Sequence, residues 1–507
     1  MVMNETLKEH SWLPLVLVAC ASFIITLDAT FMNVSISMVV VDLHTDVSTI
    51  QLIMSFYTLI TAAFMLLSTK LQDIVGKKKL FIIGTMLYGL GTFTAAISWS
   101  APVLFIGWAL IEGIAGALMT PATVSIISGT YSGEKRTIAL AIESVMVSIS
   151  AAVGPLFGGV MTTFFSWRWG FAVELIFVIF ILVMQSKIPD FEPTESKSDL
   201  DITGAIISLI GLVLFVWGIL MLTKETSTSL IVIVLGLIFL AAFAWFEIRR
   251  KGNGKVPLLD MDLFKDRNLR AGSIIRLIGC LAMGGALFAV SLFLQSVMQL
   301  NALNTGLTTL PMTIGLLIFA ILAPSLSTKF SHRTLIAIGS LIAIAGCLIL
   351  SYQFRLNTTM YDLMPGLFVL GAGLGFVMSL STDISLAYIP KKNENNASGV
   401  LTTTQTLGES MGTAIIGVIL ILGVMGGLST AIDMYAPDHS NDPQFFDDAA
   451  AYLQTAGTMD NVTQDTTLVN VVDTIIQEAM GFVMLVTALL LMLVFLATLR
   501  LKNPERP

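Results

Sequence analysis

The sequence contains little charge, histidine or cysteine. Only 12% of its 507 residues are charged, about half of the roughly 25% that soluble domains carry. There are four His and three Cys, and Cys20, Cys280 and Cys347 lie in separate apolar runs without the close spacing of a zinc site. The chain has neither a GxxxxGK[ST] phosphate loop nor an HExxH motif. We therefore exclude an ordinary soluble protein and predict no enzymatic activity, no bound metal and no cofactor.

Long hydrophobic segments dominate the sequence instead of charged residues. The chain is 55% hydrophobic, with a mean hydropathy of +0.86, and its apolar runs are long enough to cross about 30 Å of hydrocarbon. This pattern predicts an all-α polytopic membrane protein with 14 transmembrane helices. The predicted spans lie near 12–37, 50–71, 80–99, 102–124, 138–162, 168–186, 202–222, 229–248, 271–297, 305–328, 334–353, 362–388, 398–427 and 478–499.

The basic residues support this number of spans. Cytoplasmic loops retain Lys and Arg, and with both termini inside, all 27 basic residues fall on inner segments except Arg168, Lys224, Arg355 and Arg276. Arg276 lies within a span, and the other three lie on outer loops. We therefore predict a multi-pass protein of the cell membrane with both termini in the cytoplasm.

The excess of acidic over basic residues comes from one segment. The formal net charge is -7, and residues 428–477 hold eight Asp without any Lys, Arg or Glu. The predicted topology places this segment outside as a solvated Asp-rich loop; a vestibule that gathers cations is the alternative. Charge confined to one outer loop gives no reason to expect a nucleic-acid partner.

An internal repeat at an offset of about 255 residues relates two parts of the chain. The segment 69–78 follows the second predicted span, and the similar segment 324–333 follows the tenth. Repeated halves with a binding site between them are typical of secondary transporters. We predict an N-terminal six-helix half at 1–187, two inserted helices at 188–255 and a C-terminal six-helix half at 256–507.

Three motifs carry a resemblance to a known family. The stretch LDATFMNV at 27–34 resembles an LDxT..NVA signature, DIVGKK at 73–78 resembles a cytoplasmic DRxGRK loop, and GPLFGG at 154–159 resembles a GPxxGG motif. All three are similar to motifs of the major facilitator superfamily, and specifically of its fourteen-span drug:proton antiporters. The resemblance covers nearly the whole chain and implies the major facilitator fold, with two inserted helices between its halves.

The resemblance also implies roles for the motif residues. The first group forms a cytoplasmic gating motif, and its residues are Asp73, Gly76, Lys77 and Lys78. The second forms the antiporter motif, and its residues are Gly154, Pro155, Gly158 and Gly159. Glycine permits close backbone approach and proline removes a backbone donor, so close packing in any membrane bundle is the alternative explanation for the second group.

One departure from the family pattern bears on the mechanism. The fourth span of the family reads RxxxG or RxxQG, whereas this chain has Ala109 in place of the Arg and adds Glu112 before Gly113. In the family that Arg is tied to proton coupling. The absence of this Arg argues against the family's usual proton relay, but it does not affect the predicted fold.

Placing an ionisable side chain inside a bilayer costs free energy, so the ionisable residues of the predicted spans are candidates for function. The candidates for proton and substrate coupling are Asp28, Glu112, Glu409, Arg276, Asp383 and Glu143. The resemblance implies that spans one, four, nine and twelve line the cavity. We predict Asp28 and Glu112 as proton and cation sites, with Arg276 as their counter-charge; structural ion pairs or helix-end carboxylates are the alternative. Glu143 and Glu174 are weaker candidates because each lies towards a membrane surface.

These features predict a secondary active multidrug exporter. It would exchange lipophilic, cationic compounds for protons by alternating access, as a monomer in the lipid bilayer and driven by the proton gradient. The alternatives are an exporter of one specific metabolite or lipid, and a transport-dead sensor or partner subunit, for which the missing family Arg is the supporting feature.

Overall fold

The structure, a computed structural model, describes residues 11–193, 201–222, 226–387, 389, 394–435 and 466–501. Within these residues the chain is helical and contains no strand. The fourteen long helices are α1 (Leu13–Phe31), α2 (Val47–Val75), α3 (Lys77–Ala96), α4 (Ala101–Thr130), α5 (Gly133–Phe164), α6 (Trp167–Met184), α7 (Ile202–Leu220), α8 (Thr226–Gly252), α9 (Arg267–Ser296), α10 (Ala302–Ser327), α11 (His332–Ser351), α12 (Met360–Leu386), α13 (Glu394–Tyr435) and α14 (Thr466–Thr498).

All fourteen helices are long and apolar enough to cross a membrane, so the predicted number of spans and the all-α class are confirmed. A short helix, Ile36–Asp42, follows α1, and 3-10 turns follow α1 and α6 and precede α9. The helix ends that carry Lys77, Arg249 and Arg267 form what we call the basic end of the bundle. The other end is called the opposite end.

Polar side chains at the helix starts satisfy backbone N–H groups that lack an intrahelical partner. The N-cap side chains that accept such bonds are Asp46, Ser166, Asp201, Asp266, Asn301 and Ser331. Gly76 instead separates α2 from α3 with a φ of 99°, which a residue with a Cβ rarely adopts. Gly76 thus marks the boundary between α2 and α3, directly before the three lysines 77–79 that begin α3.

Helix packing follows the predicted repeat. Among the first six helices α1 packs on α5, α3 on α4 and α6, and α2 on α4; among the last six α9 packs on α13, and α12 on α10 and α11. The two groups meet along α2 with α13 and α5 with α10, while α7 packs on α8 and on α2. The exact division at 187 and 255 stays a prediction.

Hydrogen bonds join the first and last six helices at the opposite end. Gln295 donates from Nε2 to the carbonyl of Asn33 over 2.9 Å, and its Oε1 accepts from the N–H of Ser37 over 3.0 Å. The N–H of Leu303 donates to Oγ1 of Thr163 over 3.1 Å. These contacts hold the opposite ends of α1 and α5 against those of α9 and α10.

The predicted Asp-rich loop is shorter than expected. The structure continues α13 to Tyr435 and begins α14 at Thr466, so both edges of the predicted loop 428–477 are helical. Asp433 and Asp473 lie within these helices: Asp433 is exposed, and Oδ1 of Asp473 accepts a hydrogen bond from the N–H of Leu356 over 2.7 Å. Residues 436–465 lie outside the described part of the chain.

Candidate functional site

The fourth helix changes its winding where it carries its polar residues. Residues Phe105–Glu112 form a π-helical segment between two α-helical segments of α4, and such segments are frequent at functional sites. Gly91 on α3 permits a close approach here, because a Cβ at this position would lie 2.8 Å from the Cβ of Glu112. The π-helical segment thus places Trp108 and Glu112 deep inside the first six helices.

Three carboxylates meet at this segment. Asp28 on α1, Glu112 on α4 and Glu174 on α6 each offer an oxygen, and these oxygens all lie within 4.8 Å of one another. All three side chains are fully buried. We call Asp28, Glu112 and Glu174 the acid cluster.

Two members of the acid cluster receive hydrogen bonds from neighbouring helices. Trp108 donates from Nε1 to Oδ2 of Asp28 over 2.6 Å. Tyr88 and Thr92, both on α3, donate their hydroxyls to Oε2 of Glu174 over 3.1 and 3.0 Å. Each of these two carboxylates therefore has one oxygen held by a fixed donor.

Aromatic rings enclose the acid cluster. Tyr57 on α2 stacks on Trp108 with ring centroids 5.1 Å apart, and Phe171 on α6 meets the same indole edge-on at 5.9 Å. Phe288 on α9 belongs to the same buried hydrophobic cluster. A side chain from the last six helices thus helps to exclude water from the acids of the first six.

The remaining carboxylate oxygens have no protein partner. Oδ1 of Asp28, both oxygens of Glu112 and Oε1 of Glu174 are buried without a hydrogen bond in the described structure. Two negative charges 4.8 Å apart repel each other by about 3.5 kcal/mol at an effective dielectric constant of about 20, in addition to the desolvation of each ion. Without a bound cation the three acids cannot all be ionised, and protons shared between the unpartnered oxygens would relieve both penalties.

A cation is the other species that such oxygens could hold. Three carboxylate oxygens at this spacing can approach one divalent ion together. Metal dependence is therefore the experimental alternative to proton binding at the acid cluster.

Arg276 lies in a second polar group, away from the acids that it was predicted to neutralise. Its guanidinium donates to the hydroxyl of Thr382 on α12 and to Oε1 of Gln405 on α13. The amide of Gln405 in turn donates to Oε1 of Glu409 over 3.1 Å. Close packing of α13 on α9 at Gly408 brings these residues together. The structure thus links Arg276 to Glu409 through an amide and gives it no contact with Asp28.

The two polar groups lie at different depths. At a rise of 1.5 Å per residue, Glu174 is about 10 Å from the opposite end of α6, whereas Arg276 is about 14 Å from the basic end of α9. The acid cluster is therefore nearer the opposite end, where hydrogen bonds join the first and last six helices. The Arg276–Gln405–Glu409 group is nearer the basic end.

The last two candidate acids lie apart from both groups. Oε1 of Glu143 on α5 accepts a hydrogen bond from Ser22 on α1 over 2.9 Å. Asp383 is exposed, three residues before the end of α12 at Leu386. Their predicted roles in coupling stay predictions.

The gating motif contacts the segment that follows α6. Lys78 forms an ion pair with Asp190 over 2.9 Å, and the ammonium of Lys77 lies 5.4 Å from the ring centroid of Phe191. A Cβ at Gly76 would lie 3.1 Å from the carbonyl of Phe191. These partners follow the first six helices in sequence, so the lysines hold the basic end of this group together in the present conformation. The predicted role of Asp73 in gating stays a prediction.

The antiporter motif lies between α1 and the last six helices. A Cβ at Gly158 would lie 2.6 Å from the carbonyl of Phe31, and one at Gly154 would overlap the hydroxyl of Thr30. A Cβ at Gly159 would instead lie 2.7 Å from the carbonyl of Ala302 on α10.

The neighbouring proline shares that second contact. The carbonyl of Pro155 touches α10 at Gly306, where a Cβ would overlap it. One turn of α5 therefore contacts both α1, in the first six helices, and α10, in the last six.

The sequence alone undervalued one residue of the candidate site, Glu174, and missed another, Trp108. Glu174 is as buried as Asp28 and Glu112, although its place near a span end made it a weak candidate. Trp108 was not singled out, and it donates a hydrogen bond to Asp28. Its position four residues before Glu112, one turn away on the same helix, was the signal available.

Three comparisons relate the chain to known proteins. The family model described as the Major Facilitator Superfamily matches residues 18–413. The chain is 26% identical over 413 residues to the multidrug efflux pump LfrA of Mycolicibacterium smegmatis, covering 81% of each chain. It is 24% identical over 415 residues to the riboflavin transporter RibZ of Clostridioides difficile, covering 80% of this chain and 87% of that one.

A solved structure shares the fold. A bacterial homologue of the human lysosomal transporter Spinster, in an inward-facing and unoccupied conformation, superposes with a TM-score of 0.62. The sequence identity is 12%, and the match covers 96% of this chain and 97% of that one. The predicted architecture is thereby confirmed.

Proposed function

Because the chain belongs to the Major Facilitator Superfamily and is thus a multi-pass membrane transporter rather than an enzyme, we propose that it is a proton-coupled multidrug exporter. It exchanges lipophilic, cationic compounds for protons by alternating access. Both termini lie in the cytoplasm, so the basic end faces inward and the opposite end outward.

The observation that carries this proposal is the acid cluster. Asp28, Glu112 and Glu174 combine complete burial with four unpartnered oxygens. Buried carboxylates in a membrane protein are typical of proton pathways, because a dry site favours the neutral form and an open, wet site favours the ionised form. The cluster can therefore gain protons on one side of the membrane and release them on the other.

The position of the acid cluster fits import of protons. It lies nearer the opposite end, which Gln295 and Thr163 help to close by hydrogen bonds to the facing helices. When these contacts break, the cluster would face the outer solution first. Protons entering from outside would then neutralise the acids before the transporter turns inward.

The substrate preference follows from net charge. The acid cluster supplies up to three carboxylates, while Arg276 and Glu409 form a group of opposite charges. An ionised carboxylate attracts a cation, and its protonation removes that attraction. Substrate and proton would then compete, which is the requirement for exchange. The relative named a multidrug efflux pump supports a broad range of compounds.

A transporter of one metabolite is the second candidate. It is favoured by the relative named a riboflavin transporter, which matches this chain over a similar length. The same acid cluster would then couple protons to a single cargo. Substrate range separates the two candidates.

The test is dye transport by everted vesicles from a pump-deficient host that produces the full chain. In such vesicles, export from the cell is measured as uptake into the vesicle. With an imposed pH gradient, we expect uptake of several unrelated cationic dyes, and a protonophore should abolish it. Transport of riboflavin alone, with no dye uptake, would replace the multidrug proposal by the second candidate. A complete lack of flux by a well-folded protein would favour the sensor hypothesis.

A pair of Asp→Asn variants, one in the acid cluster and one on the surface as a control, removes a charge without changing side-chain shape. Asp28→Asn retains side-chain size and can still accept the Trp108 hydrogen bond, so we expect normal expression and loss of dye uptake. Asp433→Asn, on an exposed part of α13, should leave uptake unchanged. Equal uptake by wild type and Asp28→Asn would remove this carboxylate from the mechanism.

A further inference from the structure

The basic end of α8 forms a groove that the transport proposal leaves without a role. Its lining residues are Trp245, Phe246, Arg249, Arg250, Asn253 and Lys255, and its volume is about 360 Å³. α8 packs on α7 and presents most of its surface outward. The groove therefore opens towards the surroundings of the bundle and not towards the acid cluster.

The backbone beyond α8 brings the two ends of this groove together. The N–H of Asn253 donates to the carbonyl of Arg249 over 3.0 Å, and that of Lys255 donates to the carbonyl of Arg250 over 3.2 Å. Gly254 adopts a φ of 73°, which glycine tolerates best. This turn folds the chain back, so that Lys255 lies beside the last turn of the helix.

Neighbouring cations at this end are already neutralised. Arg250 pairs with Asp201 over 3.3 Å and donates to the carbonyl of Val256 over 2.8 Å. Lys251 contacts Asp260 over 2.6 Å and also pairs with Asp262.

The exposed Asp262 forms ion pairs with two lysines. Lys265 pairs with it over 2.6 Å, and the hydrogen bonds from Lys251 and then Lys265 lower the pKa of the Asp262 carboxyl to about 2. These lysines are thus committed to carboxylates of the following loop.

Arg249 and Lys255 differ from these neighbours. Within the part of the chain that the structure describes, neither forms an ion pair with a carboxylate. The Arg249 guanidinium lies 5.3 Å from the ring centroid of Trp245, which fixes it over the aromatic wall of the groove. Two positive charges without a carboxylate therefore flank the same groove.

An apolar stripe leads into this groove along α8. Ile231, Ile238 and Trp245 recur at a spacing of seven residues, and their exposed fractions are 62%, 56% and 59%. Residues at this spacing lie on one face of a helix. A ligand that fits both parts must combine an anionic head with a long apolar tail.

We propose that the groove at the basic end of α8 binds an anionic phospholipid. The headgroup phosphate contacts Arg249 and Lys255, and an acyl chain lies along Ile238 and Ile231. Tryptophan is well suited to the boundary between headgroup and acyl chain, which is the position that Trp245 takes. Basic pockets of this kind on membrane helices recognise lipid headgroups by charge.

The experiment measures lipid retained by the purified full-length protein. The protein is reconstituted in nanodiscs of equal parts phosphatidylglycerol and phosphatidylcholine, released, and analysed by native mass spectrometry. We expect retained phosphatidylglycerol to exceed phosphatidylcholine. Each cation near an anionic lipid contributes about a five-fold preference, so Arg249→Gln with Lys255→Gln should reduce retention about 25-fold. Lys255→Gln alone should reduce it about five-fold, which provides the test should the double variant not fold.

The matched control removes two cations that are already paired. Lys251→Gln with Lys265→Gln lowers the charge of the same region equally and should leave retention unchanged. Equal retention by wild type and the Arg249/Lys255 variant would overturn the proposal, as would an equal loss in both double variants. Displacement of the lipid by inorganic phosphate alone would assign the groove to a small anion and also contradict the proposal.

Discussion

Trp108 on α4 donates its indole N–H to Oδ2 of Asp28 on α1 over 2.6 Å. The bond joins two helices of the first six inside a fully buried layer. The same indole stacks on Tyr57 of α2. One side chain thus both orients the acid of the LDxT-like motif and links it to the helix that packs on the last six.

Replacing Trp108 by Phe should change the pH dependence of transport. Phe preserves an aromatic ring against Tyr57 but removes the donor that favours the ionised Asp28 carboxylate. A hydrogen bond to a charged group contributes about 1.5–3 kcal/mol, so we expect the midpoint of the pH–transport profile to move upward by about one unit or more. Trp217→Phe, at an exposed position on α7, is the control. An unchanged profile in Trp108→Phe would show that this bond has no part in coupling.

Glu174→Gln should reduce the number of protons exchanged per substrate. The substitution preserves acceptors for Tyr88 and Thr92 but removes one of three titratable groups from the acid cluster. We expect slower efflux driven by a pH gradient and weaker binding of a cationic dye in the absence of a gradient, because the acid cluster loses one of the groups that attract the dye. The measurement is the ratio of proton to dye flux in proteoliposomes. The account of Glu174 fails if this ratio is the same in wild type and variant.

The acid cluster also shows what the sequence could and could not reveal. Fourteen spans follow from hydropathy, because the bilayer imposes length and composition on each helix. The joining of Glu174 to Asp28 does not follow, since it depends on how α6 is rotated against α1. The pairing of Arg276 has the same cause: its partners Thr382 and Gln405 are set by helix packing, which a sequence pattern does not encode.

The motifs were partly interpretable for the same reason. The glycines of 154–159 predict close packing, but the sequence does not say which helix each one faces. The structure distributes them between α1 and α10, and this division leads to a pair of contrasting variants.

Gly159→Ala should weaken the closed opposite end. The added methyl group would meet the backbone of Ala302 and Leu303 on α10, which cannot move aside as a flexible side chain could, and such overpacking costs about 1–3 kcal/mol. We expect the population open at the opposite end to rise, seen as faster labelling of a cysteine introduced at Ser37. The matched variant Gly154→Ala meets Thr30 within the first six helices. It should lower thermal stability without faster labelling. Identical labelling of both variants would contradict the assignment.

Arg276→Gln should favour cationic substrates. Removing the guanidinium leaves the Glu409 carboxylate without the cation that Gln405 connects to it, so the local potential becomes more negative. We expect the KM for a divalent cationic dye to fall about three- to ten-fold, with little change for a neutral compound. Glu409→Gln should act in the opposite direction. Equal shifts for charged and neutral substrates would show that the group acts through packing instead of charge.

Metal removal separates the two ways of satisfying the acid cluster. If protons bridge the unpartnered oxygens of Asp28, Glu112 and Glu174, then extensive chelation should leave efflux unchanged. Efflux that disappears with chelation and returns with one divalent ion would instead assign the cluster to a metal. The measurement is dye efflux in proteoliposomes loaded with chelator on both sides.

Proton release on substrate binding tests the central claim most directly. Purified protein in a weakly buffered detergent solution is mixed with a cationic dye, and the change in pH is recorded. Because competing ligands are linked reciprocally, the account predicts release of about one proton per bound dye, and none from the Asp28→Asn, Glu112→Gln, Glu174→Gln triple variant. Dye binding by the wild type without any proton release would contradict it.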